Sequence, residues 1–329
     1  MALENQYTLT AGEVANLWNS YMGNTMAVGV TSYFIKTATD PDVVEMLHNA
    51  VDIADFEVQG VRELLKKYGH PHPQGFSSED FNFETPALYK DTIIILIKYI
   101  LSQAAGPIYT VAHSEAVNYD VRQFYLTCSS RTSNFNAQLV ELMEKKGLFH
   151  PKIHLPIPVS VDKVHKKSYM GGWLAGRRPL NAGEIMHLVT NIRNIEVERE
   201  FLTSFVQVNT SKVLIDHFKR GEQLAEKHLK VFQSLLAKDN LPQFPTLENE
   251  ITDSTDSPFS ERMMLYKIAV FASSTIARYG TAISTIMRKD VGVDFSRLMA
   301  ELSLYGEDTL ELMIELGYLD QIPLAKDSD

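Results

Sequence analysis

Apolar residues fall at Val44, Leu47, Val51, Ala54, Val58, Val61 and Leu65, alternately three and four residues apart. That spacing puts all seven on one helical face and predicts a long helix with a narrow buried seam. Asp40-Pro41 supplies its start, since proline at the first helical turn loses no hydrogen bond, and Gly69 supplies its stop. Upstream, Thr10 with Glu13 reads as a capping box opening a helix that runs to about Thr37. A third helix is expected from near Pro86 and a fourth from near Val117 to Gly147. No window alternates convincingly enough for a sheet, so the pattern predicts an all-α chain.

The pattern then repeats. Leu9-Thr10-Ala11-Gly12-Glu13-Val14 returns as Leu180-Asn181-Ala182-Gly183-Glu184-Ile185, an offset of 171. The same offset aligns Leu64-Leu65-Lys66-Lys67 with Leu235-Leu236-Ala237-Lys238. Further on it becomes 170, where Tyr109 meets Tyr279 and Glu141-Leu142-Met143 meets Glu311-Leu312-Met313. A unit this long is a domain. The second copy is expected to carry helices near 181–209, 210–239, 258–289 and 292–316. The expected organisation is a bundle over 1–150, a connector over 151–179 and a second bundle over 180–329.

Loop lengths select the topology. Helices one and two are joined tightly, as are three and four, but roughly 15 irregular residues (70–85 and 241–257) separate the middle pair. About 15 extended residues reach about 50 Å, enough to travel the length of a long helix. Short, long, short is the connection pattern of a ferritin-like four-helix bundle with one crossover. Thr92–Ala112 is apolar enough to resemble a membrane span. Lys98, Gly106-Pro107 and the charges Arg262, Lys267 and Arg278 in its counterpart favour a buried bundle helix instead.

The Leu-Thr-Ala-Gly-Glu start, the Leu-Leu-Lys-Lys-Tyr-Gly helix end followed by His-Pro, the crossover and the duplication resemble a family of bacilli and relatives. Its members are often labelled "putative spore coat proteins" and grouped with ferritin-like folds. The resemblance implies architecture and a link to sporulation; it implies no activity and no functional residue.

Composition narrows the function classes. A net charge of −10 argues against nucleic acid as a partner. One cysteine, Cys128, excludes an intrachain disulfide and cysteine-based zinc. It falls among apolar positions of the fourth helix and reads as a buried thiol. No basic stretch followed by an apolar one opens the chain, which predicts a cytoplasmic protein, forespore or spore included through the family resemblance.

Candidate chemistry is sparse. A carboxylate-bridged dimetal bundle needs a glutamate on each of two helices and Glu-x-x-His on each of the others. The chain has Glu45-Met46-Leu47-His48 and Glu184-Ile185-Met186-His187, in different copies and on different helices. Glu184 is explained by capping from Asn181. A reduced site would use His48, Asp52 and Asp55 on one flank of helix two, with His113 and Glu115 from the end of helix three. If it held a cofactor, that would be a transition metal such as Fe or Mn. No cofactor and no catalytic residue are expected on the leading reading. His70, His72, His150 and His154 lie in proline-rich loops, where such a group could capture a metal, but solvated loop histidines are the commoner case.

One substitution between the copies points inward. Val51 of the seam becomes Glu222, and Val28 of the facing helix becomes Arg199. These changes predict a buried ion pair, Arg199 with Glu222, as a structural device or the wall of a small-ligand pocket. A second candidate pocket lies beneath Trp18 and Tyr21.

Between Lys145 and Asn181 eight lysines and arginines face one aspartate, +7 on an acidic chain. Pro151, Pro156 and Pro158 extend its first part and Tyr169-Met170-Gly171-Gly172-Trp173-Leu174 adds apolar bulk. It reads as a strap, or as the docking segment for a protein partner or a second subunit. The expected function is a non-enzymatic structural or interaction protein. The alternatives are a metal-dependent oxidase or oxygenase using the reduced site, and a small-molecule-binding bundle.

Overall fold

Thr10 opens the first helix through the expected capping box, its hydroxyl accepting the Glu13 N–H while the Glu13 carboxylate accepts the Thr10 N–H. Asn181 and Glu184 do the same in the second repeat. Each glutamate also reaches the start of its bundle's fourth helix. Asn118 N–H donates to Glu13 at 2.7 Å and Arg288 N–H donates to Glu184 at 2.9 Å. One buried carboxylate thus satisfies the orphan donors of two helix starts, which explains why the glutamate recurs.

The computed structural model describes residues 8–149, 152–172 and 176–325. Among them lie eight α-helices: α1 Ala11–Thr37, α2 Pro41–Lys67, α3 Asp91–Glu115, α4 Tyr119–Lys145, α5 Ala182–Val208, α6 Lys212–Ala237, α7 Glu261–Thr285 and α8 Lys289–Glu315. No strand occurs among the described residues, only an isolated bridge between Phe81 and Phe259. The all-α expectation holds, as does the tandem repeat, for the first two helices recur 171 residues on and the last two 170 residues on, at nearly the same length. α1 packs along α2, α3 along α4, and α5 along α6. The long connections 68–90 and 238–260 are the crossovers.

The third helix begins at Asp91, later than the sequence suggests. The preceding stretch is captured by Tyr33, whose hydroxyl donates to Pro86 O at 2.7 Å and accepts the Leu88 N–H at 2.9 Å. By length and composition α3 is the one described helix apolar enough to cross a membrane, yet half of its most apolar window is buried in the fold.

Two compact units emerge from the contacts. The first comprises Met1–Lys146 with Thr252–Met263 and Tyr318–Asp329. Its core gathers Leu17, Tyr21, Val58, Val61, Leu65, Tyr125 and Cys128. At Gly29 of α1 an added Cβ would lie 2.0 Å from the Phe81 ring, so the missing side chain is what lets the crossover lie against the helix. Segment 252–263 completes this layer. Phe259 meets Tyr33 and Phe81 edge-on, and Ser260 Oγ and Arg262 hold Asp80. The backbone bonds Asn82 N–H to Pro258 O and Thr252 N–H to Leu88 O are equivalent under the 170-residue offset, so corresponding parts of the two crossovers exchange matching hydrogen bonds.

The second unit comprises Gly147–Ile251 and Met264–Gly317. Phe201, Phe205, Phe218, Phe232, Tyr279 and Phe295 form its aromatic centre. Its crossover is tied to α5 by charge, Leu247 N–H donating to the buried Glu196. At the start of α8 the fully buried Arg288 pairs with Asp290 at 2.6 Å and faces Asp239 at 3.6 Å, while Arg178 of the connector pairs with Glu184 at 2.8 Å. His150 and Trp173-Leu174, singled out above, lie outside the described residues.

Candidate functional site

The five residues proposed as a reduced metal site occupy the surface. His48, Asp52 and Asp55 are exposed on α2, Glu115 is exposed at the end of α3, and half-buried His113 meets the Arg122 carbonyl at 3.0 Å through Nδ1. Among the described residues no group of three or more His, Cys, Asp or Glu side chains is placed to hold a metal ion.

The predicted partner of Arg199 is corrected. Its guanidinium pairs with Glu200 at 2.7 Å and Glu196 at 3.1 Å, both on α5, whereas Glu222 accepts the Thr203 hydroxyl. The buried charge exists, but same-helix carboxylates one and three residues away reach it.

Each bundle instead holds a polar group around a common tyrosine. In the first, Tyr109 OH donates to Glu57 Oε2 at 2.5 Å and accepts from Asn24 Nδ2 at 3.1 Å. Burial pushes the Glu57 carboxyl up to about 7, only partly offset by the Tyr109 and Asn24 hydrogen bonds and the Arg131 charge. Nearby, Ser20 bonds Tyr125 at 3.1 Å, and burial raises the Cys128 thiol well above its usual range. In the second bundle Tyr279, the counterpart of Tyr109, pairs with His228 Nδ1 at 2.9 Å. His228 stands where Glu57 stands, and Glu301, where Arg131 stands, lies 3.7 Å from His228 Nε2. Desolvation depresses the imidazole to about 4 against the pull of Glu301. The polarity of the pair is inverted between repeats: acid then base in one, base then acid in the other.

A cavity of about 10 Å³ lies beside His228, lined also by Glu198, Thr275 and Tyr305. That is room for about one water. Burial pushes Glu198 up to about 7; Thr275 Oγ1 donates to it at 3.3 Å and receives Arg278 Nη2. Trp18 and Tyr21, candidates for a pocket wall, are buried core residues; Tyr21 accepts from Arg62 at 2.9 Å and packs on His72. The interior groups are the functional candidates sequence reasoning missed. The Tyr109–Tyr279 match was visible, but Glu57 and His228 adjoin the seam and read as flank. These interiors do not fit a dimetal centre: one carboxylate with two phenols and a thiol in the first repeat, one imidazole and scattered carboxylates in the second.

The comparisons with known proteins agree with the duplication. Residues 1–156 and 168–329 each match the DUF3231 family, described as proteins of unknown function. The chain belongs to the DUF3231 family. A solved "putative spore coat protein" from Bacillus halodurans C-125 is 20% identical over 46% of this DUF3231 chain and 98% of its own, with a TM-score of 0.39. A search of curated proteins gives no match.

Proposed function

We propose that this DUF3231 chain is a non-enzymatic structural or interaction protein that keeps a ferritin-like frame, working in or on the spore. One observation carries the reading: the interior positions where such a bundle would do chemistry are filled by mutually bonded side chains, Glu57–Tyr109–Asn24 and His228–Tyr279. Groups bonded to one another in this way leave the surface as the working part, since the cavity beside His228 has room for about one water. Elemental analysis of untagged protein, offered Fe(II), Mn(II) and Zn(II) and then desalted, tests it. The reading expects no stoichiometric metal. One or two retained ions per chain, lost on Glu57→Ala or His228→Ala, would replace it with the metal-dependent oxidase.

A second reading, a small-molecule-binding bundle, draws on the cavity beside His228 and on His228 Nε2 and Arg278 Nε, which have no hydrogen-bond partner among the described residues. Native mass spectrometry would reveal it as a co-purifying mass removed by His228→Phe.

A further inference from the structure

Two surfaces of the second unit are complementary and uncovered. The first is the connector. Ile157, Val159 and Val161 are between 94 and 105% exposed. Residues 153–165 make no hydrogen bond to the rest of the described chain. Lys163, Lys166 and Lys167 follow, exposed and without an ion pair among the described residues. The stretch belongs to a connector of +7 on a chain of −10, which leaves −17 elsewhere.

The second is the outer face of α8. At 100° per residue, Val293, Ala300, Leu304, Glu307, Glu311, Ile314 and Glu315 share one stripe, whose single cation between Val293 and Glu315, Arg297 on its margin, is held by Asp294 and Glu301 on its own helix. Val293, Leu304 and Ile314 are 52 to 64% exposed, and the three glutamates pair with no cation among the described residues. The first repeat shows what an ordinary solvated face looks like here. Its equivalents are Gln123 for Val293, Asn134 for Leu304 and Glu144 for Ile314, also exposed. The apolar side chains are therefore peculiar to α8 and not demanded by the bundle.

We propose that the α8 stripe receives the connector of a second copy of this chain, reciprocally, in a closed two-fold dimer. Lengths agree. Val293 to Ile314 spans about 32 Å of helix, and Ile157 to Lys167, extended, spans about 33 Å. With Ile157 set at Val293, the three apolar connector residues cover Val293, Ala300 and Leu304 over about 13 Å, and the three lysines that follow face Glu307, Glu311 and Glu315. The inference stands apart from the reading of the bundle interiors.

Sedimentation equilibrium of the full chain tests it. Wild type is expected to be a dimer that weakens as salt rises. K163E/K166E/K167E and E307K/E311K/E315K should each weaken it about a hundredfold through like-charge contact, with circular dichroism unchanged because every altered residue is exposed. An equimolar mixture of the two variants should dimerise again, since each connector then meets a stripe of opposite charge. A monomeric wild type overturns the proposal, as would a connector lying on its own α8 or reserved for another acidic protein. Dimers persisting in either variant, or a mixture that stays monomeric, overturn it equally.

Discussion

Tyr109 and Tyr279 occupy the same place in the two repeats, yet their hydroxyls meet opposite partners. One donates to a carboxyl that an arginine faces; the other pairs with an imidazole that a carboxylate faces. The frame around them is common to both: capped first helices, a glutamate joining two helix starts, a long crossover. The crossovers diverge in the same spirit. In the first repeat Gly29 admits the Phe81 ring, while in the second the equivalent helix face carries Arg199 and Glu200, and Glu196 takes the crossover's Leu247 N–H. What is shared is backbone-satisfying and geometric; what differs is how each core balances its buried polarity. That one frame accepts either polarity supports the proposed reading, in which these groups pack the interior.

The two repeats differ most in the charge their cores bury. Arg199→Ala should cost about 3–5 kcal/mol, because Glu196 and Glu200 are left buried beside each other. Val28→Ala, the same site in the first repeat, should cost about 1 kcal/mol. Chemical denaturation of the full chain measures both. If Glu222→Ala matched Arg199→Ala, the corrected pairing would be wrong.

Next in size, Gly29→Ala should cost about 1–3 kcal/mol by driving a methyl into the Phe81 ring. Trp18 is buried in α1, so after Trp173→Phe its fluorescence reports the first repeat. No change in that transition would mean that the crossover does not rest on Gly29.

The pH response sharpens the contrast. Folded Glu57 keeps its proton to about pH 7, against 4.5 for the free carboxyl, so the folded state binds more protons in that window. Stability from this group falls as pH rises from 4.5 to 7, and Glu57→Gln should remove the fall. Folded His228 titrates near 4 instead of 6.5, so the folded state binds fewer protons and its contribution rises over that interval. His228→Gln should flatten that rise; unfolding midpoints across the range decide both.

The smallest effect belongs to the surface. His48→Ala should change stability by less than about 0.5 kcal/mol, since the ring is exposed. A larger loss in a melting experiment would show that it has a partner.

Much of the frame was legible because its causes are local or periodic. The heptad-like seam, the Thr10–Glu13 box, Asp40-Pro41 and the 171-residue offset each act within a helix or between obvious copies. The interior was legible only in part. Arg199 announces a buried charge, but its partners lie at one and three residues along its own helix, while the repeat comparison points across the bundle to a seam position. Glu57 and His228 were hidden because one step of phase separates a seam residue from a flank residue. The late start of α3 came from Tyr33, 53 residues upstream of the Pro86 carbonyl it holds, a capture no local pattern encodes.

Transplanting the second repeat's pair into the first tests the equivalence of the two interiors most directly. Glu57→His with Arg131→Glu, in the Trp173→Phe background, should fold, and the dependence of Trp18-reported stability on pH between 4.5 and 6.5 should move from falling toward rising. A double variant that fails to fold, or that keeps the wild-type slope, would contradict a frame indifferent to the polarity of its buried pair.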